Sequence, residues 1–199
     1  MKNLWSLLKN MKKIILKSSS PRRFELLTKM GYEFEVKVYP VDEKVDSNLS
    51  PAENVKNISF LKASVNQELD YGSILIGCDT IVVLDNKIYG KPKDENDAFN
   101  MLKSLSGKRH EVMSGLTVIY KDKCFNDVVI SKVHFRELSD DEIKSYIDSK
   151  EPFGKAGSYA IQGIGHKLID HYEGSLNNII GLPTELLEKI LGELNGMED

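Results

Sequence analysis

The stretch KIILKSSSPRRFELLTKMG, residues 13–31, predicts a buried strand that leads directly into a helix. The short apolar run at 14–16 is followed by a Ser-Ser-Ser-Pro turn. Ser20 is a typical N-cap, Pro21 is a typical first helical residue, and Gly31 is suited to the end of the helix. A strand joined to a helix by so short a turn is typical of α/β folds.

Two arginines, Arg22 and Arg23, fall in the first turn of this helix, beside the positive end of the macrodipole. A helix N-terminus offers unpaired N–H groups, and guanidinium groups hold phosphates through paired hydrogen bonds. The arrangement therefore suits a phosphate ligand. Each misplaced cation costs only about 0.3 to 1 kcal/mol at an exposed helix end, so solvated surface arginines remain an equal alternative on this stretch alone.

The length and composition fit one sizeable domain. The chain has 199 residues and 41% hydrophobic residues, which is enough for a buried core. Its 27 basic and 30 acidic residues give a net charge of -3, so no bulk positive field would gather nucleic acid. Nucleic acid is therefore not an expected partner, although a local cluster of cations could still bind an anion.

The two cysteines, Cys78 and Cys124, lie too far apart for a disulfide framework and outside any zinc-binding spacing, which predicts reduced thiols. The first 16 residues have only short apolar runs interrupted by lysines and no cleavage site. Neither export nor a membrane span is supported, and we expect a cytoplasmic protein. Residues 1–10 are either an upstream start or a poorly ordered extension before Met11.

A second helix is predicted by Ser50-Pro51-Ala52-Glu53, which combines an N-cap, a proline at the first helical position and a capping-box glutamate. Lys62 interrupts its apolar stripe. A lysine in such a stripe is more often a snorkelling side chain at the stripe's edge than a group that points into a polar cleft. The predicted stripe consists of Val55, Ile58, Val65 and Leu69.

Strand and helix signals alternate along the rest of the chain, which predicts an α/β domain with an elongated mixed β-sheet flanked by helices. Two strand segments, 74–76 and 81–84, are expected on either side of Gly-Cys-Asp-Thr, and Asp85-Asn86 turns the chain back. The other predicted elements are a helix that begins at Asp94 and ends at Gly107, strands at 116–120 and 128–135, a helix with a Ser139 capping box, and a last helix from Pro183 through Leu191.

Further cations stand outside the first helix. Lys91 lies between a glycine and a proline, and Lys155 lies in a glycine-bounded loop. Lone lysines in loops are mostly solvated. If the fold brought both lysines together with Lys62, Arg22 and Arg23, however, five cations would face the roughly four negative charges of a triphosphate.

A triphosphate site also requires carboxylates, because polyphosphate chemistry normally needs a divalent metal and carboxylate oxygens bind such metals. Asp79 follows a buried apolar run, a position where strands present site residues, although a turn aspartate has equal weight. Glu43 resembles an ordinary loop acid. Thr80 and Gln162 could bind the edge of a base, or could be a strand threonine and a glutamine that pairs with loop backbone.

The motifs of several common site classes are absent from the sequence. The four histidines, at positions 110, 134, 166 and 171, do not follow a metal-ligand spacing, so metal binding by imidazole is not expected. The chain also lacks a P-loop, a Rossmann glycine motif and a nucleophile elbow, which disfavours the common nucleotide-binding folds.

Several motifs in one order nevertheless resemble the Maf family, also called septum-formation-inhibitor-like proteins, which are nucleoside triphosphate pyrophosphatases. The resemblance runs from about Lys13 to Leu191. It rests on SSSPRR, VDE at 41–43, LKA at 61–63, GCDTIV, YGKP, the run from Met101 to Val112, GKAGSYAIQG, and GSLNNIIGLP at 174–183.

The resemblance implies hydrolysis of a nucleoside triphosphate between the α and β phosphates, with Mg or Mn as cofactor. It assigns Asp79 as the proton acceptor that activates water, and Glu43 and Asp79 as metal-binding residues. It implies dTTP and UTP as substrates through Arg22, Thr80 and Gln162, with modified pyrimidine triphosphates as further candidates. The residues expected to hold phosphates are Ser18, Ser20, Arg22, Arg23, Lys62, Lys91 and Lys155.

The resemblance also implies a fold similar to inosine triphosphate pyrophosphatases, with a central cleft, and often a homodimer. We therefore expect a single two-lobed domain over 11–194 and a tail at 195–199. Two departures from the family pattern are Gly154, where an aspartate is common, and Ser114, where a threonine is usual. Two alternatives stay open: a purine-selective enzyme of the 7-methyl-GTP type, and a nucleotide-binding regulator of septum formation with little turnover.

Overall fold

The computed structural model describes residues 12–196 of the chain. The predicted extension at 1–10 and the last three residues of the predicted tail lie outside the described residues. No helix in the described part is long and apolar enough to cross a membrane.

The described residues form a mixed α/β structure, as the sequence predicted. The strands are β1 (Ile14–Leu16), β2 (Phe34–Val36), β3 (Ile74–Leu84), β4 (Lys87–Tyr89), β5 (Arg109–Tyr120), β6 (Lys123–Phe135) and β7 (Ile169–Glu173). The helices are α1 (Pro21–Lys29), α2 (Pro51–Ser64), α3 (Glu95–Leu105), α4 (Asp140–Asp148), α5 (Leu176–Ile180) and α6 (Thr184–Asn195). Short 3₁₀ helices occur at Gln67–Asp70, Ala156–Ser158 and Gly163–Leu168.

One mixed sheet contains all of these strands, in the order β2-β1-β3-β5-β6-β7, with β4 paired to β3. The pairs of β1 with β2 and with β3 are parallel, and the others are antiparallel. Strand β3 lies inside the sheet between β1 and β5, and β5 pairs with it along nearly its whole length.

The other edge of β3 is only partly covered. Strand β1 pairs with residues 74–76, and β4 pairs with residues 82–84. Since β5 occupies one edge of β3, β1 and β4 must share the opposite edge. Between them, residues 77–81 have no strand partner on that side among the described strands. This gap in the sheet is the structural origin of the cleft described below.

Helices cover both faces of β3. Because side chains alternate along a strand, Ile74, Ile76 and Cys78 face α1 and α6, whereas odd-numbered residues face α2. A second apolar cluster surrounds α3 and α4 and includes Val82, Leu102 and Ile143. The unpaired residues of β3 therefore lie where two hydrophobic clusters meet.

Local sequence signals placed most helix starts correctly. Ser50 and Ser139 each form the predicted capping box, with both reciprocal hydrogen bonds present. The stripe predicted for the second helix extends too far, because α2 ends at Ser64. Val65 leaves the helical conformation, and Leu69 lies beyond it, 71% exposed.

The strands differ more from their predicted boundaries than the helices do. The two segments at 74–76 and 81–84 are one continuous strand, because pairing with β5 carries the ladder through Gly77 and Asp79. The strands predicted at 116–120 and 128–135 are both longer and form the β5–β6 hairpin. The sequence reading also missed β2 and the short helix α5.

Candidate active site

A cavity of about 550 Å³ opens at the gap in the sheet. It is bounded by the β1–α1 turn, the N-terminus of α1, one side of α2 and the loop at 156–162. Most of the predicted site residues line it, namely Ser18, Ser20, Arg22, Arg23, Glu43, Lys62, Asp79, Thr80, Lys91 and Gln162.

The gap explains how Asp79 and Thr80 reach the same cavity although they are consecutive residues of β3. Their side chains point to opposite faces of the sheet, and no neighbouring strand separates the two faces at this edge. The sequence predicted Asp79 at a strand end. It lies instead in the middle of β3, where interrupted pairing provides the access that a strand end would give.

Lys62 joins two carboxylates in this cavity. Its Nζ lies 2.8 Å from Asp79 Oδ1 and 3.0 Å from Glu43 Oε2. The side chains of Lys62 and Asp79 are both 13% exposed, whereas that of Glu43 is 52% exposed. Lys62 is therefore not a snorkelling lysine, because its ammonium is paired inside the cleft.

Two glycines let α2 approach the sheet closely enough for this contact. A Cβ at Gly77 would lie 2.5 Å from the amide nitrogen of Ala63 and would also clash with the carbonyl oxygen of Ser59. A Cβ at Gly115 would lie 2.7 Å from the carbonyl carbon of Val55. Real Cβ atoms do not approach so closely, so the helix backbone rests directly on β3 and β5.

The two arginines of α1 dock on the end of α5. Arg22 Nε donates to the carbonyl oxygen of Ile180 at 3.1 Å, and Arg23 Nε donates to that of Gly181 at 2.9 Å. Carbonyls at a helix C-terminus carry partial negative charge, which compensates for two cations in the first turn of α1. Burial and the neighbouring charge of Arg23 lower the pKa of Arg22.

Arg23 also organises the polar floor of the cavity. Its Nη1 donates to Ser18 Oγ at 3.1 Å, and its Nη2 donates to Thr80 Oγ1 at 3.2 Å. Thr80 Oγ1 lies 2.8 Å from Ser114 Oγ, which donates to the backbone oxygen of Asn178 at 3.2 Å. A hydroxyl is retained at position 114, so the departure from threonine there leaves this network intact.

Gln162 lines the cavity on a loop that Glu151 fixes in place. The Glu151 carboxylate accepts hydrogen bonds from the amides of Ile164, at 2.9 Å, and Gly165, at 2.8 Å, and from the Tyr146 hydroxyl, at 2.9 Å. Burial opposes ionisation of Glu151, but these hydrogen bonds dominate and lower its pKa. Sequence reasoning missed Glu151, because its partners are mostly backbone amides.

Lys155 is the predicted phosphate-binding residue that does not line the cavity. Its Nζ donates to the carbonyl oxygen of Glu151 at 2.6 Å. Burial and the nearby charge of Arg22 lower the pKa of Lys155. Gly154 before it has a left-handed φ of 75° and open space at the position of a Cβ.

Lys17 is a cavity-lining cation that the sequence reading did not single out. It is 3% exposed, and its Nζ lies 2.8 Å from Asp70 Oδ2. Lys37 pairs with the other oxygen of Asp70. Burial opposes ionisation of Asp70, but hydrogen bonds from both lysines lower its pKa. The available signal was a lysine placed directly after the apolar run at 14–16.

The donor set fits a hard divalent cation. Asp79 and Glu43 direct one oxygen each at the Lys62 ammonium, which shows that both carboxylates can reach one positive charge. Carboxylate oxygens are the ligands that Mg and Mn prefer, and substrate phosphates commonly complete such sites.

Comparisons with known proteins found a matching family model and relatives of similar length. A family model described as "Maf-like protein" matches residues 13–194. The chain is 45% identical over 186 residues to a dTTP/UTP pyrophosphatase of Bacillus cereus (strain ATCC 10987 / NRS 248), covering 94% of this chain and 92% of the relative. It is 46% identical to a dTTP/UTP pyrophosphatase of Clostridium botulinum (strain Alaska E43 / Type E3), covering 91% and 98%.

Among solved structures, the Staphylococcus aureus Ham1 protein matches with a TM-score of 0.51 and 15% identity, over 94% of this chain and 100% of that chain. At this identity the match shows the fold alone. It confirms the expected similarity to inosine triphosphate pyrophosphatase-like folds.

Proposed function

This chain belongs to the Maf family, and we propose that it hydrolyses dTTP and UTP to the nucleoside monophosphate and pyrophosphate. One observation carries the proposal. Lys62 Nζ pairs with Asp79 Oδ1 at 2.8 Å inside a cavity that is also lined by the two arginines of α1. A carboxylate and several cations in one cleft suit attack on a triphosphate.

In the proposed reaction, the triphosphate tail lies along the N-terminus of α1. Arg22 and Arg23 bind phosphate oxygens with the N–H groups that their backbone contacts leave available, and Lys91 adds charge at the opposite side of the cavity. Ser18 and Ser20 contribute polar groups from the β1–α1 turn. Lys155 would join this set if its ammonium exchanged the Glu151 carbonyl for a phosphate oxygen.

Asp79 is the proposed proton acceptor. Its carboxylate would take a proton from a water molecule as that water attacks phosphorus, and pyrophosphate would leave as the α–β bond breaks. Lys62 would hold Asp79 in place and neutralise charge that develops on the phosphates. A general base of this kind typically contributes about 10²- to 10⁴-fold to the rate.

The proposed cofactor is a divalent cation, Mg or Mn, held by Asp79 and Glu43. When bound, it would neutralise phosphate charge and favour ionisation of the attacking water. Because Lys62 contacts the same two oxygens, its ammonium would have to shift as the cation binds.

Thr80 and Gln162, which both line the cavity, would recognise the base of the nucleotide. Thymine and uracil present an acceptor, a donor and an acceptor along one edge, and a glutamine amide can match two of these groups. Because Thr80 is tied to Arg23, base recognition and phosphate binding share one network. The proposal includes a cytoplasmic location and a homodimer.

The test uses the purified full chain with dTTP, UTP and purine triphosphates in the presence of Mn. We expect pyrophosphate rather than orthophosphate as the product, a preference for dTTP and UTP, and a loss of at least about 10²-fold in kcat with Asp79→Asn. Gln162→Ala should weaken the preference for pyrimidines.

Other outcomes would support the competing functions. Tight triphosphate binding with little turnover would favour a nucleotide-binding regulator. Preference for 7-methyl-GTP would favour a purine-selective enzyme. Release of orthophosphate, or full activity of Asp79→Asn, would overturn the mechanism.

A further inference from the structure

A group of potential metal ligands lies on the β6–β7 edge of the sheet, among residues that do not line the cavity. His134 on β6 is directly opposite His171 on β7, and Glu173 is opposite Lys132. Paired residues and residues two apart on a strand share one face. The two imidazoles and the Glu173 carboxylate therefore stand together on one face of the sheet.

The ligand atoms are already close to one another. One atom from each of His134, His171 and Glu173 lies within 4.8 Å of the other two, and His134 Nε2 is 3.2 Å from Glu173 Oε1. Around tetrahedral zinc, with metal–ligand distances of about 2.0 to 2.2 Å, neighbouring ligand atoms are separated by roughly 3.4 Å. The two imidazoles, which are now stacked, would have to turn so that one nitrogen of each points at the ion.

A supporting carboxylate orients one of the imidazoles. Asp170 Oδ2 lies 2.7 Å from His171 Nδ1, which leaves Nε2 of that ring available for a metal. The ring of His171 stacks on that of His134, with centroids 3.9 Å apart and an interplanar angle of 19°. Metal-binding histidines commonly have such a carboxylate partner, which fixes the ring and raises its basicity.

We propose that His134, His171 and Glu173 bind a transition-metal ion of the Zn²⁺ class at a site separate from the catalytic cleft. Two imidazoles and one carboxylate suit Zn²⁺, Ni²⁺ or Cu²⁺ rather than Mg²⁺, which prefers oxygen ligands. The remaining coordination position faces solvent, because His171 and Glu173 are both exposed. This inference does not depend on the proposed pyrophosphatase activity.

The bound ion would cross-link an edge strand. Strand β7 pairs with β6 alone within the described sheet, and Gly174 and Ser175 connect it to α5. The carbonyl oxygens of Ile180, the last residue of α5, and of Gly181 accept hydrogen bonds from Arg22 and Arg23. A metal that ties β7 to β6 would therefore stabilise the segment that leads to the phosphate-binding end of the cleft.

Two cations near the site oppose metal binding. Lys132 Nζ lies 3.8 Å from Glu173 Oε2, and Arg109 is paired with His134 in the sheet register. Their charges would reduce the affinity without blocking the imidazoles. Removal of the Lys132 charge should therefore tighten binding, whereas removal of a ligand should weaken it.

The direct test is calorimetric titration of the untagged full chain with Zn²⁺ in the presence of Mg²⁺. We expect His134→Ala and His171→Ala each to weaken zinc binding at this site at least about tenfold, and Asp170→Asn to weaken it about 10- to 100-fold. Lys132→Gln should tighten it. His166→Ala, which removes an exposed histidine elsewhere, is the matched control and should leave binding unchanged.

Cu²⁺ provides a readout that is independent of activity. Its electron paramagnetic resonance spectrum should show nitrogen coupling from two imidazoles in the unmodified chain and in Asp79→Asn, but not in His171→Ala. Zinc binding that is unaffected by His171→Ala, or that disappears entirely with Asp79→Asn, would overturn the proposal. His171 and Glu173 are exposed and His134 is half-buried, and circular dichroism would verify that each variant is folded.

Discussion

Lys62 Nζ and Asp79 Oδ1 lie 2.8 Å apart, although one belongs to a helix and the other to the central strand. The same ammonium contacts Glu43 Oε2 at 3.0 Å. The cation therefore occupies the point where the proposed metal ligands converge. Lys62 should consequently affect both the reaction and the affinity for the divalent cofactor.

Replacement of this ammonium should separate those two effects. Lys62→Met keeps most of the side-chain length but removes the charge, so kcat/KM for dTTP should fall about 10- to 100-fold, which corresponds to loss of a charged hydrogen bond of about 1.5 to 3 kcal/mol. The Mn concentration for half-maximal activity should fall as well, because the carboxylates lose a competing cation. Lys56→Met, on the same helix but outside the cavity lining, is the control. An increased Mn requirement would contradict this account.

The close approach of α2 to the sheet predicts strong sensitivity at its glycine contacts. Gly77→Ala and Gly115→Ala each place a methyl group against helix backbone, which cannot move as a side chain can. Each should lower the free energy of unfolding by about 1 to 3 kcal/mol in urea denaturation. Activity should also fall in the folded variants, since Lys62 is displaced from Asp79.

Gly192→Ala is the matched control for these glycine substitutions. Gly192 lies inside α6 and has open space at the Cβ position. Alanine should raise the free energy of unfolding there by about 0.5 to 1 kcal/mol, because glycine is the poorer helix former. Equal destabilisation at all three glycines would refute the steric explanation.

His110 predicts a loss of stability in mild acid. It is 2% exposed, its Nε2 lies 2.8 Å from the Tyr159 hydroxyl, and burial lowers the pKa of His110 from 6.5 to about 4. Between pH 6.5 and about pH 4, His110 is protonated in the unfolded chain and neutral in the folded chain. Stability should therefore fall as the pH drops from 6.5 to 4, by up to about 1.4 kcal/mol per pH unit.

Urea denaturation at several pH values would check this effect. The unmodified chain should lose roughly 3 kcal/mol across the window through this residue, whereas His110→Gln should lack that contribution. His166→Gln, at an exposed position, should keep it. The same slope in all three proteins would show that His110 is not responsible.

Glu151 predicts a second effect of pH, in a lower range. Since its folded pKa lies below the ordinary value of 4.5, its ionised form stabilises the fold above that value, and this contribution is lost as the pH falls through the folded pKa. Glu151→Gln should therefore be less stable than the unmodified chain at pH 7, and the difference should narrow below about pH 4.5.

The same substitution should affect substrate recognition, because Glu151 fixes the loop that carries Gln162. We expect KM for dTTP to rise several-fold in Glu151→Gln, with a smaller change in kcat, since the carboxylate does not line the cavity. Glu188→Gln, on the exposed side of α6, is the control. Unchanged steady-state kinetics would mean that the loop holds its position without this carboxylate.

Local sequence patterns predicted the structure correctly where it depends on contacts between residues close together in the chain. The capping boxes at Ser50 and Ser139 formed as predicted, because both partners lie within one helical turn. Strand pairing between distant segments could not be predicted from local patterns. The segments on either side of Asp79 appeared to be two strands, since the continuous ladder with β5 depends on residues about 35 positions away.

The histidines show the same limit. Spacing along the chain gave no reason to expect His134 and His171 near each other, and the β6–β7 register places them directly opposite. Lys155 is the opposite case, in which a sequence motif predicted a place in the site that the structure does not show. Its motif gave it a phosphate-binding role, but its ammonium bonds to the Glu151 carbonyl outside the cavity lining.

The sequence by itself determined the α/β class, most helix starts and the residue types that a triphosphate site requires, because these follow from local propensities and motif chemistry. Only the tertiary structure decided which of those residues meet. Interrupted pairing on one edge of β3 opens the cleft, and Gly77 and Gly115 let α2 bring Lys62 to Asp79. Both depend on contacts between distant segments, whose geometry is set by packing of the whole sheet.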